Sequence, residues 1–377
     1  DVINNKIKEL TAKAEAKQKR WVFLTTNDGA SMGGSEKLWI QAALETKERG
    51  DEVIVVIKKW EPEPDFIDDL RKAGILVLFK NYFEFSQIVE FNPSLMIISI
   101  GDQDEGTEWY QQCSASKIPY VIVNQLTKEP MYWPVNEQLV PKLIKGQEGA
   151  EIVLFTGKNN LRVMEKRLGH PITNSGIFYN PTGTERNINI PYPKSGEKLQ
   201  IAIVGNLHNI HKGQQLAIEL FAKQKWRVRP VHLNIYGKGQ DEDELKRQVY
   251  DRYLTNVTFC GFANDLTEVW AQNHAIFLPS YMEGLPIVLM SAMLCARVSI
   301  ATDIGSHTEV ISDNVSGFIA AKPGVEALDE ALERAWQRRE EWEKMGLEAR
   351  SAILKFLPED PLRFFIHRIE LFSMVQS

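Results

Sequence analysis

Short apolar runs alternate with amphipathic segments through the first half of the chain. The run WVFLTTND at 21–28 is followed by the glycine-rich turn GASMGGS, an amphipathic stretch ending at Gly50, and a second apolar run, DEVIVVIKK. Apolar runs of about four to eight residues are typical of buried strands, and an amphipathic stretch between two of them predicts a helix. The pattern therefore predicts a β-α-β unit, with further strands at 74–79, 94–100, 119–123 and 151–156.

The second half begins after residues 180–198, a segment rich in Pro, Gly, Asn and Lys that is the clearest predicted linker. The alternation then restarts with LQIAIVGN, the loop LHNIHKG, the helical pattern QQLAIELFAKQ and the run VHLNIYGKG. Strands joined by helices in this way form parallel sheets with helices on both faces. We therefore expect an α/β protein with two doubly wound domains, at 21–190 and 196–358, facing each other across a cleft.

Composition places the chain among ordinary globular proteins. It has 377 residues, 44% of them hydrophobic and 25% charged, which suits two domains. The net charge of −6 argues against nucleic-acid binding. Three scattered cysteines, Cys113, Cys260 and Cys295, favour a reducing cytosol over a disulfide framework or a metal cage. No apolar run approaches the ~18 residues of a membrane span. The start at Asp1 without methionine suggests a piece of a longer, multidomain chain.

Residues 1–20 are predicted to form a polar helical extension or linker. Their apolar positions, Ile3, Ile7 and Leu10, are too few for a core helix. Lysines are in excess, so adhesion to an anionic membrane surface stays open as an alternative, although the aromatic face expected for that role is missing.

The segment 276–320 carries the most informative pattern. The apolar run IFLPS predicts a buried strand, the turn that follows contains Glu283 and Gly284, and a buried helix is expected from Pro286 to Cys295. Glu283 would then lie at the carboxyl edge of the sheet, just before the unpaired N–H groups of the helix start. Such amides and the helix dipole favour an anion like a diphosphate.

EGLPIVLMSAM followed by TDIGSHTEVISDNVSGFIA resembles the donor site of glycosyltransferase family 4, and GGSEKL resembles the amino-terminal loop of those enzymes. The resemblance implies a GT-B fold with two Rossmann-like domains, and a C-terminal helix, here 360–377, that crosses back to the first domain. It also implies retaining transfer from a nucleotide-sugar, without a cofactor or metal. The family's two glutamates have the spacing Glu-x7-Glu. This chain keeps the first as Glu283 and has Ser291 at the second.

The resemblance also implies the roles of individual residues. Glu283 would orient the sugar and stabilise positive charge on it, Lys212 would bind the phosphates, and Ser291 would face the ribose in place of the family's glutamate. Asn206 stands where the family has an arginine, which removes a forked, permanently charged phosphate contact. The remaining predicted donor-binding positions are Gly33, Gly34, Gly237, Lys238, Gly261, Phe262, Gly284, Leu285, Pro286 and Ile287.

Acceptor contacts are expected from aromatic side chains near loops of the first domain. Trp109, Tyr132 and Trp133 could stack on sugar rings, although such aromatics are more often lids of a core. His307 and Glu309, in the turn IGSHTEV, are further candidates for the cleft, and Glu309 is equally suited to capping a helix. The expected partners are a nucleotide sugar and a saccharide or glycolipid acceptor, with no nucleic acid.

The sequence as a whole predicts a cytoplasmic glycosyltransferase of polysaccharide or glycoconjugate synthesis, with peripheral association at the inner face of a membrane. The alternative is a catalytically silent relative that binds a sugar chain or a partner protein, because Asn206 and Ser291 depart from the family pattern. A nicotinamide-dependent oxidoreductase is disfavoured, since neither half has a dinucleotide fingerprint. Asp241 and Asp243 form a D-x-D that a metal could bind, but acids in a helix's first turn are favoured by its dipole alone.

Overall fold

The computed structural model describes residues 18–29, 31–194, 196 and 198–373. Within them the chain forms two compact units. The first contains the described residues up to Pro181 and those from Asp360 onward, and the second is Thr182–Glu359. Each is an α/β unit with a parallel sheet, as the sequence predicts.

The first unit has a seven-stranded sheet in the order β3-β2-β1-β4-β5-β6-β7. Its strands are β1 (Arg20–Thr25), β2 (Glu52–Ile57), β3 (Leu76–Phe79), β4 (Leu95–Ile100), β5 (Tyr120–Asn124), β6 (Ile152–Phe155) and β7 (Ser175–Ile177). Its helices in the amino-terminal part are α1 (Gly34–Glu48), α2 (Asp65–Lys72), α3 (Phe85–Phe91), α4 (Thr107–Ala115), α5 (Val140–Glu148) and α6 (Lys158–Leu168).

The central strands of this sheet are buried on both faces. Trp21 and Phe23 of β1 belong to the core on one side, whereas Val22 and Leu24 belong to the core on the other. Side chains of a strand alternate between the two faces, so a continuous apolar run is what a sheet covered on both sides requires. This explains why the strands of this unit could be recognised as short uninterrupted apolar runs.

The C-terminal helix completes the first unit. This helix, labelled α16 below, spans Pro361–Glu370 and begins after Asp360, whose side chain accepts a hydrogen bond from the N–H of Arg363 at 2.9 Å. Phe365, Ile366 and Ile369 are fully buried in the same core as Trp21. The amphipathic pattern at the end of the chain therefore serves burial against this sheet.

The second unit has a six-stranded sheet in the order β10-β9-β8-β11-β12-β13. Its strands are β8 (Leu199–Val204), β9 (Val231–Tyr236), β10 (Val257–Gly261), β11 (Ala275–Leu278), β12 (Val298–Thr302) and β13 (Gly317–Ala320). Its helices are α7 (Asn209–Lys212), α8 (Gln214–Phe221), α9 (Gln224–Val228), α10 (Glu242–Asp251), α11 (Leu266–Gln272), α12 (Ile287–Leu294), α13 (His307–Val310), α14 (Val325–Gln337) and α15 (Trp342–Phe356), with a 3₁₀ turn at Arg339–Glu341.

Strand order reverses once in each sheet, between β1 and β4 in the first unit and between β8 and β11 in the second. Loops on either side of such a switch point diverge to opposite faces and leave a crevice at the carboxyl ends of the strands, where ligands bind in open α/β sheets. These two places are therefore where the fold predicts sites.

The boundary between the units differs from the predicted one. Residues 182–190 belong to the second unit, because polar side chains tie them to it. Arg186 donates to the carbonyl oxygens of Leu354 and Leu357 at 2.8 and 3.2 Å. The proline-rich composition of 180–198 marks irregular backbone without revealing which unit holds it.

The predicted N-terminal extension cannot be compared in full, since residues 1–17 lie outside the described residues, and Arg20 already belongs to β1. No helix in the described part of the chain is both long and apolar enough to cross a membrane.

Candidate active site

The switch point of the second sheet brings together two charged side chains that are 71 residues apart in the chain. Lys212 ends the short helix after β8, and Glu283 lies in the turn after β11. The Nζ of Lys212 donates to both carboxylate oxygens of Glu283, at 2.7 and 2.8 Å. Glu283 is only 5% exposed, whereas the Lys212 side chain is 29% exposed. A buried anion is thus covered by a cation that a ligand can reach.

The loops that carry this pair are fixed to each other through their backbones. The N–H of Tyr281 donates to the carbonyl oxygen of His211 at 2.9 Å. Gly213 has φ +64°, and a Cβ there would overlap the carbonyl oxygen of Pro279. Only glycine meets both conditions without strain. The Lys212-Gly213 dipeptide therefore sets the position of the lysine relative to the loop of Glu283.

Glu283 has further support from its own turn and from the turn after β12. The Oγ of Ser280 donates to its Oε1 at 2.8 Å. Gly305 has φ +57° and packs so closely that a Cβ would overlap the carbonyl oxygen of Glu283, and the N–H of Ser306 donates to the carbonyl oxygen of Gly284 at 3.0 Å. The carboxylate is therefore held in place before any ligand binds.

The amino end of α12 lies directly beside Glu283 in the chain. Pro286 is its N-cap residue, with φ −65°, and the helix runs over Ile287–Leu294. The first N–H groups of a helix have no intrahelical acceptor and carry its positive dipole end. The predicted positions Gly284, Leu285, Pro286 and Ile287 thus form one short segment next to the Lys212–Glu283 pair.

The structure also groups the predicted glycines at neighbouring strand ends. The N–H of Gly237 donates to the carbonyl oxygen of Gly261 at 2.8 Å, and a Cβ at Gly237, which has φ +142°, would overlap the carbonyl oxygen of Gly205. Asn206 and Lys238 are exposed at these ends, and Phe262 is 63% exposed. These residues line the carboxyl edge of β8, β9 and β10, so their predicted contact with a nucleotide stays a prediction with compatible geometry.

Ser291, which is predicted to face a ribose, lies inside the second unit. It is fully buried, and its Oγ accepts a hydrogen bond from the Nε1 of Trp270 at 2.9 Å and shares a second with the Oγ1 of Thr184 at 2.6 Å. The predicted contact of Ser291 with a ribose stays a prediction, and in this structure the short side chain ends inside the unit.

The aromatic residues predicted for the acceptor lie in the first unit. Trp109 is half-buried against the core, with its ring stacked on Phe83 at a centroid distance of 6.3 Å and an angle of 15°. Trp109 therefore packs as a lid of the core, and its predicted contact with an acceptor stays a prediction. Tyr132 and Trp133 are half-buried in the loop after β5, and the Nζ of Lys128 lies 5.1 Å from the ring centroid of Trp133. Their contact with an acceptor stays a prediction.

Gly33 and Gly34 lie at the start of α1 in the first unit, where Gly33 is the N-cap residue. The buried carboxylate of Glu36 accepts from the Nδ2 of Asn27 at 2.6 Å and would be 2.9 Å from a Cβ at Gly33. The glycine therefore makes room for Glu36, and its predicted contact with donor phosphates stays a prediction.

Several polar residues at the two switch points were not predicted. In the first unit the Oγ1 of Thr26 donates to Glu105 at 2.6 Å, and burial raises the pKa of the Glu105 carboxyl. In the second unit the Oγ of Ser280 donates to Glu283, and the Oγ1 of Thr302 donates to the carbonyl oxygen of Ser280. Ser280 lies three residues before Glu283 at a strand end, which is a usable signal, whereas Glu105 and Thr302 carry none until the strands are ordered.

Asp241 and Asp243 of the D-x-D lie at the start of α10, where Asp243 is one of the acids of the first turn and the Asp241 side chain makes no capping hydrogen bond to the helix. Asp241 is the N-cap residue of α10, and its carboxylate accepts from the N–H of Asn209 at 2.7 Å. Among the described residues no group of three or more His, Cys, Asp or Glu side chains is arranged to hold a metal ion.

The two α/β units with parallel sheets have the GT-B fold seen in solved glycosyltransferase structures. The Anabaena protein Alr3699/HepE, in a crystal structure with UDP, superposes with a TM-score of 0.74 at 17% identity, over 94% of this chain and all of that one. At this identity the likeness shows the fold alone.

Residues 185–352 match the family described as glycosyl transferases group 1. The putative glycosyltransferase EpsD of Bacillus subtilis is 28% identical over 149 residues, 39% of this chain and 39% of that protein. The O-antigen chain mannosyltransferase C of Escherichia coli is 31% identical over 140 residues, 36% of this chain and 37% of that protein. The chain thus spans less than two fifths of the length of these relatives. The chain has the GT-B fold, and its sequence likeness to the group 1 family lies in residues 185–352, within the second unit.

Proposed function

We propose that the chain is a retaining glycosyltransferase that moves a sugar from a nucleoside diphosphate to an acceptor hydroxyl. The observation that carries this proposal is the Lys212–Glu283 pair at the switch point of the second sheet, beside the amino end of α12. A diphosphate needs positive charge and N–H donors, and a sugar about to leave it needs a carboxylate near its anomeric carbon. Lys212 supplies the positive charge, the start of α12 supplies the N–H donors, and Glu283 supplies the carboxylate.

Lys212 serves as the cation for the leaving diphosphate. Its Nζ is held by Glu283 without a ligand, and its partial exposure allows it to be shared with a phosphate oxygen when the donor binds. The unpaired N–H groups of Leu285 and Ile287 add donors to the same phosphates, in line with the helix dipole. With this cation built into the loop, we expect transfer to proceed without an added metal ion.

Glu283 orients the sugar and stabilises the positive charge that builds on the anomeric carbon. Both of its oxygens already accept hydrogen bonds from Lys212, and Oε1 accepts a further one from Ser280. A carboxylate engaged in this way is a weak nucleophile and a good electrostatic partner. Attack of the acceptor on the face that the diphosphate leaves would then retain the anomeric configuration.

The nucleoside is placed along the strand ends next to this pair. Gly261 and Phe262 border the nucleobase, and the exposed ring of Phe262 offers a stacking surface. The ribose is held without Ser291, whose hydroxyl is already used. The acceptor is a saccharide or glycolipid, so the reaction belongs to glycan synthesis, in keeping with the mannosyltransferase relative. We assign the chain to family 4 of these enzymes on its EGLPIVLMSAM segment.

Donor turnover with UDP-, GDP-, ADP- and dTDP-sugars tests the proposal. We expect wild type to hydrolyse or transfer one of them, and Glu283→Gln and Lys212→Met each to reduce kcat/KM by about 100-fold, the typical effect of removing one electrostatic contact in a transition state. Lys223→Met is a matched control. Lys223 pairs with Asp329 at 2.9 Å, has a similar exposure of 34%, and lies outside the switch point. Equal activity of all three variants would refute the assignment.

The second candidate function is a catalytically silent protein that binds a sugar chain or a partner protein. The observation that favours it is the burial of Ser291, which leaves the ribose without the carboxylate that the family resemblance implies. Calorimetry with the same donors separates the two. Absence of donor binding by wild type favours the silent protein, whereas micromolar binding that Lys212→Met weakens favours the transferase.

A further inference from the structure

A buried histidine lies behind the candidate active site, and the proposed mechanism does not use it. His307 begins α13 and is fully buried. Its Nδ1 is 2.7 Å from the carbonyl oxygen of Thr302. A carbonyl oxygen can only accept, so Nδ1 carries the proton. The Nε2 has no hydrogen-bond partner among the described residues, and buried polar atoms without a partner are uncommon enough to need an explanation.

A chain of hydrogen bonds connects this imidazole to the carboxylate of Glu283. His307 donates to the carbonyl oxygen of Thr302, and the Oγ1 of Thr302 donates to the carbonyl oxygen of Ser280 at 2.7 Å. The Oγ of Ser280 then donates to Glu283 at 2.8 Å. Every link in this chain is buried, so each restricts the next.

The turn that leads to His307 also contacts the backbone of Glu283. Gly305 packs against the carbonyl oxygens of Glu283 and Gly284, and Ser306 donates to Gly284. Movement of His307 away from Thr302 would therefore disturb the loop of Glu283 by two routes, through Ser280 and through this turn.

Three charged groups influence His307. Burial lowers the pKa of the imidazole below its ordinary value, the negative charge of Glu283 and, more weakly, that of Asp303 oppose this, and the positive charge of Lys212 adds to it. The ring is therefore neutral at neutral pH. A proton on Nε2 would introduce a second cation next to Glu283, in competition with Lys212 for the same carboxylate.

We propose that His307 is a positioning residue for the Lys212–Glu283 pair. His307 holds the pair in the donor-binding arrangement only while its imidazole is neutral and donates Nδ1–H to the carbonyl oxygen of Thr302. This inference rests on the proposed function for its consequence, which is loss of diphosphate binding as the pH falls through the lowered pKa of the His307 imidazole.

Two substitutions separate the hydrogen bond from the charge. His307→Asn keeps an N–H donor near the position of Nδ1 and cannot be protonated, whereas His307→Leu keeps an apolar side chain and loses the donor. UDP, GDP and ADP binding is measured by calorimetry at pH 7.5 and pH 5.5, and thermal unfolding reports whether each variant is folded. At pH 7.5 we expect the best ligand to bind His307→Asn within about twofold of wild type and His307→Leu about tenfold more weakly, the typical result of leaving a buried carbonyl without its donor.

The pH arm tests the charge. In a titration extended from pH 7.5 through pH 5.5 to the lowest pH at which both proteins stay folded, wild type should lose several-fold more affinity than His307→Asn. The charge of the nucleotide itself cancels because both proteins bind the same ligand. Three results would each overturn the proposal. One is an equal loss of affinity in wild type and His307→Asn as the pH falls. The others, at pH 7.5, are nucleotide binding by His307→Asn as weak as that by His307→Leu, or binding by His307→Leu as tight as that by wild type.

A measurement without nucleotide keeps this inference separate from the proposed function. The imidazole ¹⁵N resonances of His307, assigned with His307→Asn, should show the Nδ1–H tautomer at neutral pH and respond to both members of the pair. Glu283→Gln should make protonation of His307 harder and Lys212→Met should make it easier, by the signs of the removed charges. If wild type bound no nucleotide while these shifts appeared, the transferase assignment would fail and the coupling would stand. An Nε2–H tautomer, or no response to either substitution, would overturn the coupling itself.

Discussion

Replacement of Lys212 by methionine isolates the contribution of its charge to the folded state. The substitution keeps most of the side-chain length and removes two charge-assisted hydrogen bonds, of 2.7 and 2.8 Å, from a carboxylate that is 5% exposed. Loss of one partner from a fully buried ion pair costs about 3–5 kcal/mol. Because the Lys212 side chain is 29% exposed and Ser280 still donates to Glu283, we expect a smaller loss of about 2–3 kcal/mol.

Thermal unfolding of the second unit is the assay. For a unit of about 180 residues each kcal/mol corresponds to roughly 2–4 °C, so Lys212→Met should lower the midpoint by about 4–12 °C. The double variant with Glu283→Gln should be more stable than Lys212→Met alone, because no buried charge is then left without its partner. This order of stabilities is the diagnostic result.

Lys223→Met is again the matched control, since its carboxylate partner Asp329 is more exposed and keeps Lys225 and Trp226 as further partners. We expect this partly buried pair to contribute no more than about 1 kcal/mol, because Asp329 keeps its other partners when Lys223 is removed. If Lys212→Met were no more destabilising than Lys223→Met, or if Glu283→Gln failed to restore stability in its presence, the buried pair would not have the energetic role inferred from its geometry.

Three further substitutions test other parts of the second unit. Ser291→Ala removes the acceptor of the Trp270 indole and should lower the midpoint by about 2–6 °C, the result of losing a buried hydrogen bond; an unchanged midpoint would contradict the bond. Gly237→Ala should cost at least about 2 kcal/mol in chemical denaturation, because its φ is +142° and the new Cβ overlaps the carbonyl oxygen of Gly205; a neutral effect would mean that the strand ends can separate. Phe262→Ala, at a side chain that is 63% exposed, should change the free energy of unfolding by less than about 0.5 kcal/mol. It should raise the KM for the donor roughly tenfold through lost stacking. An unchanged KM would exclude the ring from nucleobase binding.

The sheets could be predicted from the sequence because their central strands are buried on both faces. The run that contains Val22 and Phe23 is apolar from Trp21 to Leu24, and the amphipathic segment between this run and the next predicts a crossover helix. The order of the strands within each sheet could not be predicted in the same way. Nothing in the apolar runs states that β4 lies beside β1 or that β11 lies beside β8, and these neighbours are what create the two switch points.

The site was predictable in its parts and not in its contacts. Glu283 and Lys212 could each be proposed because a charged residue follows an apolar run at a strand end. Their direct ion pair could not, since it depends on the adjacency of β8 and β11. The same limit applies to His307, whose hydrogen-bonded link to Glu283 runs through side chains and carbonyl groups of two separate segments, 280–283 and 302–307. Local pattern identifies the chemistry of a residue, whereas partners distant in the chain decide its state.

Ser291 shows why a substitution within a family pattern must be judged from its neighbours. A serine in place of a glutamate reads from the sequence as a weakened ligand contact. In the structure its hydroxyl joins α12 to Trp270 and to Thr184, so the side chain supports the interior of the unit. A carboxylate restored there would be buried beside two neutral partners at the cost of desolvating a charge. Under the proposed function, recognition of the donor then rests on Lys212 and Glu283 at the diphosphate and the sugar, and in that arrangement a change at His307 has its largest effect on binding.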